Sequence, residues 1–179
     1  MSRQTRHGSA PHPSSQRIFE LEVSLFSDPV TEEFAKANPV VSRTIQILGD
    51  QTLAKLHEAI FDAFDRDDKH MYEFQVGGKR PMDRKAKRYM LPEGDDGESA
   101  GVATRTTIDA LGLKKGQAFG YWFDFGDDWW HQISVLAIHD GPGSGKYPRV
   151  IAKVGDSPPQ YPDWDDEDYD EDDEDDAEE

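Results

Sequence analysis

The sequence predicts an α+β fold: a single domain with one main helix packed on a curved, mostly antiparallel β-sheet. Three patterns carry this reading. Residues 17–26, "RIFELEVSLF", alternate apolar and polar side chains, the period of a half-buried strand. Further on, Leu53, Leu56, Ile60 and Phe64 recur at helical spacing. Two aromatic-rich stretches then flank "FGDD" at 125–128, as in a hairpin.

In chain order, Phe19, Leu21, Val23 and Leu25 define the buried side of the first strand, with Glu20, Glu22 and Ser24 opposite. "SDPVTEEFAKANP" reads as a loose connection. "VVSRTIQI" is a β-branched strand with Val41, Ile45 and Ile47 on one parity. The helix follows, its start capped by Thr52 or Asp50, either of which can accept a backbone N–H, and Phe61 widens its apolar stripe. "MYEFQV" is a strand that ends at Gly77-Gly78, a pair suited to positive φ. A loop-rich stretch contains a short strand at 87–91. Thr107 and Gly112 bracket a short helical turn. The hairpin spans 118–138, and "YPRVIAKVGD" supplies the last strand.

The hairpin register follows from its aromatics. A three-residue loop, Gly126-Asp127-Asp128, sets Phe125 opposite Trp129, Phe123 opposite His131 and Tyr121 opposite Ile133. A one-residue slip would mix that face with Trp122, Asp124 and Gln132. Trp130, on the other parity, is expected nearer to solvent. Asp and Gly suit the turn because they tolerate its backbone angles and bond its amides.

Charge divides the chain. Of its 37 Asp and Glu, 14 fall after residue 162, leaving 23 acids against 20 Lys and Arg in the remainder. The organisation expected is a disordered arm at 1–16, a domain at 17–156 and a disordered acidic tail at 157–179. Neither end carries the apolar side chains that repay ordering entropy. There are no cysteines, which removes disulfides, thiolate nucleophiles and thiolate metal sites and suits a reducing cytoplasm. No apolar run approaches the ~20 residues of a membrane helix, so no membrane partner is expected.

Sequence blocks add a resemblance. "YWFDFGDDWWHQISV" resembles the Y-x-Y-D-F-G-D-x-W-x-H signature of the plasmid pRiA4b ORF-3-like family, also described as the insertion-element passenger TnpR-like family. "TLAKLHEAIFDAFDRDDKHMYEF" is similar to its T-L-x-x-L-H-x-x-I block, and "TTIDALGLKKGQAFGYWFDFG" to its approach to the hairpin. After "PP" the chain reads "QYPD" in place of the family's acidic–cysteine–glycine segment. The resemblance implies the α+β domain described above and no assigned activity.

The family blocks fall on His57, His70 and His131. Neutral imidazoles suit a divalent metal, and three can form a facial set, with Asp124 assisting. The spacings match no H-E-x-x-H motif, and buried histidines bonded within the protein are the commoner case. "GPGSGKY" fails the phosphate-loop register, because Asp140 stands at the first glycine and Tyr147 at the Ser/Thr position. Loop 79–88 concentrates base, with Arg84, Lys85, Lys87 and Arg88 as candidate partner-binding residues. Its charge complements the acidic tail, which predicts a salt-sensitive intramolecular contact. Two functional readings stand. One is a cytoplasmic binding or adaptor domain of mobile-element type for protein or nucleic-acid partners. The other is a metal-dependent enzyme built on the histidines. No cofactor beyond that divalent metal is indicated.

Overall fold

The structure, a computed structural model, describes residues 16–162 except 28, 79–81, 84, 95–96 and 142–143. Arm residues 1–15 and tail residues 163–179 lie outside the described residues. Among the described residues, eight strands form one sheet: β1 (Arg17–Ser27), β2 (Ser42–Leu48), β3 (Tyr72–Val76), β4 (Lys87–Met90), β5 (Gly101–Val102), β6 (Ala118–Phe123), β7 (Trp129–Asp140) and β8 (Arg149–Val154). Their spatial order is β5-β4-β3-β6-β7-β1-β2-β8. All pairings are antiparallel except β4 with β5. The mostly antiparallel α+β architecture expected from the sequence is present, with far more sheet than helix.

Alternation decides which face of each strand is buried. On β1, Phe19, Leu21 and Val23 are fully buried. Burying each such side chain contributes about 1.5–3 kcal/mol. Helix α2 (Leu53–Ala63) closes that side of the sheet with Leu53, Leu56, Ile60 and Ala63. Thr52 caps it: the hydroxyl accepts the Lys55 amide at 3.3 Å. Asp65, at φ 52°, turns the chain out of the helix.

A second helix, α1 (Glu32–Ala37), replaces part of the expected loose connection. Thr31 caps it by accepting the Phe34 amide, and Glu32, Glu33 and Lys36 sit at the ends that suit the helix dipole. The apolar pattern missed it because none of its residues is fully buried.

Arg43 joins the helix to the sheet edge. It shares the buried parity of Val41, Ile45 and Ile47 and is itself buried. Nε donates to the Ala63 carbonyl at 2.9 Å, at the C-terminus of α2. Nη1 donates to the carbonyls of Ser42, Val154 and Gly155, and Nη2 to the Ser157 hydroxyl at 2.9 Å. Burial lowers its pKa, and the Asp65 and Asp156 charges oppose that shift. Gly155, at φ 68°, lies so close to the Val40 carbonyl that a Cβ would collide with it. Only glycine lets the strand end reach the arginine.

The hairpin departs from the expected register. Phe123 pairs with Trp129, Tyr121 with His131 and Phe119 with Ile133. The shift is two residues, so the strand residues keep their faces, and of the expected buried face only Phe125 is lost. The loop is 124–128 in place of 126–128. Asp124 and Asp128 adopt φ 55° and 58°, and the Asp128 amide donates to the Asp124 carbonyl at 2.8 Å. Two left-handed aspartates thus close a wider turn. Phe125 leaves the core and is 38% exposed. Trp130 is only 5% exposed, contrary to expectation, because its ring stacks on Trp122 at 4.7 Å across the paired strands.

Beyond β8, the first residues of the expected tail lie on the body. Gln160 is buried; its Oε1 accepts the Asp67 and Asp68 amides at 3.0 Å each, and its Nε2 donates to the Asp68 carbonyl. Pro158 is also buried. Residues 157–160 therefore pack on the body, past the boundary expected at 156.

Candidate functional site

His57 leaves α2 toward the sheet. Its ring stacks on Tyr72 at 3.8 Å, and Nδ1 lies 2.7 Å from the Tyr121 hydroxyl. Burial lowers its pKa to about 4, against a smaller opposing effect from Glu58. The same burial raises Tyr72 to about 12 and Tyr121 well above the usual phenol value. His131 is fully enclosed, edge-on to Phe64 at 5.0 Å and 5.2 Å from the Tyr121 ring. Neither ring nitrogen has a hydrogen-bond partner of good geometry, although nearby main chain at Trp129 and Tyr121 slightly favours the proton. Burial and then the Arg66 charge push its pKa down to about 3. Arg66 itself lies over the Trp129 ring at 3.5 Å.

His70 is at the surface. Its Nε2 stands 3.0 Å from the Tyr161 hydroxyl and 3.4 Å from Asp124 Oδ2. The other Asp124 oxygen accepts the Gly126 amide at 3.1 Å. Asp124 is thus a buried turn residue that also faces a histidine, outside the strand where the sequence placed it.

The candidate metal set does not assemble. His57 and His131 flank Tyr121, while His57 and His70 flank Phe123, each ring about 6 Å or less from its neighbour. Among the described residues, no three His, Cys, Asp or Glu side chains gather to hold a metal. Of the candidate metal residues, His70 and Asp124 are brought together, 3.4 Å apart. The Tyr121–His57 contact is part-buried, with Tyr121 enclosed and His57 partly exposed.

The candidate basic residues also divide. Arg84 lies outside the described residues. Lys85 and Lys87 line a cavity of about 250 Å³ with Val76, Tyr89 and Leu111. Arg88, one residue on along β4, reaches Glu73 and Glu98, each at 3.6 Å. Strand alternation sends Lys87 and Arg88 to opposite faces, so one continuous basic surface does not form from them.

A different site appears on the face turned away from α2. Trp122 on β6 and Trp130 on β7 are a directly paired cross-strand couple with nearly parallel rings, 8° apart. Phe125 lies against Trp122 at 4.1 Å, and the Trp122 indole N–H donates to Asp128 at 2.9 Å. Beside the stack, Glu73, Gln75, Arg88 and Glu98 border a groove of about 530 Å³. Met82 and Asp83 complete its wall. That size falls within the ~300–1,000 Å³ of ligand pockets.

With this geometry in hand, the family model described as plasmid pRiA4b ORF-3-like protein matches residues 30–173. The chain belongs to this family. An uncharacterized protein, y4hQ, of Sinorhizobium fredii (strain NBRC 101917 / NGR234) is 26% identical over 123 residues. The match covers 68% of this chain and 59% of that relative, so the chain spans less than two thirds of its length. The crystal structure of a protein of unknown function, MM3350 from Methanosarcina mazei Go1, superposes with a TM-score of 0.59. It is 24% identical, over 78% of this chain and 71% of that one, a likeness of fold alone.

In this ORF-3-like chain the family signature "FDFGDDWWH" therefore contributes to both faces of the hairpin. Its Phe123, Trp129 and His131 build the core. Its even-numbered Trp130, with Trp122 just before it, builds the groove. Sequence reasoning assigned the even parity to solvent and so missed the groove. The available signal was two tryptophans of one parity on paired strands.

Proposed function

We propose that this ORF-3-like domain is a binding or adaptor module for a protein or nucleic-acid partner, with the Trp122–Trp130 groove as its contact surface. The observation that supports it is a pair of stacked tryptophans beside a polar, ligand-sized groove. Aromatic side chains that combine apolar area with a polar tip are common anchors in recognition sites. A peptide is favoured over nucleic acid, because Lys87 and Arg88 diverge and Arg88 is engaged by two carboxylates. The acidic segment 163–179 remains a proposed intramolecular ligand of Lys85 and Lys87 on the other face.

The setting proposed is the cytoplasm and a plasmid or mobile-element context. Among the described residues, no helix is long and apolar enough to cross a membrane. The metal-dependent alternative would need the three histidines to meet, and no observation favours it.

The test follows tryptophan emission of the full chain during titration with mixed-sequence short peptides and, separately, with mixed-sequence single-stranded DNA at low salt. A saturable response to peptides that is lost in Trp122→Ala supports the reading. A response to DNA that depends on Lys85 and Lys87 would move the contact surface to the other face. No saturable response to either would overturn the binding reading.

A further inference from the structure

We propose that the Trp122–Trp130 groove takes a cationic side chain, the guanidinium of arginine or the ammonium of lysine, presented by a partner peptide. This rests on the binding-module reading and names the ligand class of the same site.

The groove is rich in acceptors. Its described lining carries the carboxylates of Glu73, Asp83 and Glu98 against one cation, Arg88. Glu73 is 2% exposed; one of its oxygens accepts the Gln75 amide N–H at 2.7 Å, and the other faces Arg88. These carboxylates are already engaged within the chain. An incoming cation adds charge-assisted hydrogen bonds to this network.

Gln75 adds an independent sign. Its Oε1 is buried without a hydrogen-bond partner. A buried acceptor left unpaired costs about 1–3 kcal/mol, which a ligand N–H would recover. A carboxylate or phosphate ligand brings no donor to this oxygen and meets the acidic lining as a like charge. Opposite Gln75, Gly120 contributes no side chain, and Gln75 Oε1 lies over it, 3.7 Å from where a Cβ would stand.

The aromatic wall suits the rest of such a ligand. Trp130 and Trp122 stack along one side of the groove, and Phe125 packs on Trp122 beyond its lining. Lysine and arginine lay their methylene stems on apolar surface while the charged head stays in polar surroundings. The groove therefore offers an apolar wall for the stem and grouped acceptors for the head.

The experiment titrates the full chain, by tryptophan emission, with capped tripeptides that carry arginine, lysine, citrulline or glutamate at the centre. Citrulline retains the shape of arginine without its charge. Saturable binding of the arginine and lysine peptides is expected, with citrulline weaker by roughly tenfold, as for loss of a charge-assisted hydrogen bond. Added salt should weaken the two cationic peptides. Gln75→Leu and Glu98→Gln should each reduce arginine affinity several-fold. Glu98 is exposed, so its variant tests the idea even if Gln75→Leu does not fold.

Equal binding of citrulline and arginine, or arginine affinity unchanged in Glu98→Gln, would overturn the proposal. If neutral or acidic peptides bind and cationic ones do not, the ligand class fails and the binding module stands. If no peptide in this set or the mixed set gives a saturable response, both fail.

Discussion

Protonation of His131 should drive acid unfolding, and His131→Leu should remove that part of it. The imidazole is enclosed by Phe64, Tyr121 and Trp129, and its folded pKa falls to about 3 through burial and the Arg66 charge. In the unfolded chain it titrates near 6.5. Between these values the unfolded state binds the proton and the folded state does not. Stability from this group is thus present above about pH 6.5 and is lost as pH falls toward 3. Each pH unit below 6.5 costs about 1.4 kcal/mol, so the loss between pH 7 and pH 4 is about 3 kcal/mol. That is a large share of a typical domain stability of ~5–15 kcal/mol.

Urea unfolding of both proteins at pH 7, 5.5 and 4 measures the effect. The leucine variant should stay within about 1–2 kcal/mol of the parent at pH 7, since leucine fits an apolar site and abandons no hydrogen bond of good geometry. At pH 4 it should be the more stable of the two. His57, lowered to about 4, contributes a similar slope to both proteins and cancels in the comparison. Parallel stability–pH curves would refute the reasoning and show that His131 titrates normally or holds a partner on protonation.

Arg43→Met should cost about 3 kcal/mol or more, because several buried carbonyls lose their donor together; the urea midpoint at pH 7 reads this out. Trp129→Ala and Trp130→Ala should both cost about 3–5 kcal/mol, one by opening the core and the other by breaking the cross-strand stack. A near-zero cost for Trp130→Ala in a melting experiment would restore the solvent-facing assignment. A chain ending after Pro162 should melt near the full-length midpoint, whereas one ending after Asp156 should melt lower. The shorter chain loses Gln160 from the Asp67 and Asp68 amides and Ser157 from Arg43.

What the sequence determined by itself is local. Alternation on residues 17–26 defined the faces of β1 because a strand's period is two and one face is dry. The spacing of Leu53, Leu56 and Ile60, with Thr52 before it, defined α2 because cap and apolar stripe agree. The parity of Phe119, Tyr121, Phe123, Trp129 and His131 was legible for the same reason. Pairing across the turn was not. A two-residue shift leaves every face unchanged, so hydrophobicity cannot distinguish the registers, and the left-handed Asp124 and Asp128 decided between them. Arg43 was hidden because a charge in a core position is tolerated only when distant carbonyls converge on it, and those come from α2, β8 and Gly155. The same holds for the candidate sites. Three histidines in family blocks look like a ligand set in one dimension, but in three dimensions, among the described residues, no three such ligands gather. The groove arises from residues 73 to 130, on strands brought side by side only when the sheet forms. Contacts between strands distant in the chain depend on the sheet order, and tertiary packing alone sets that order.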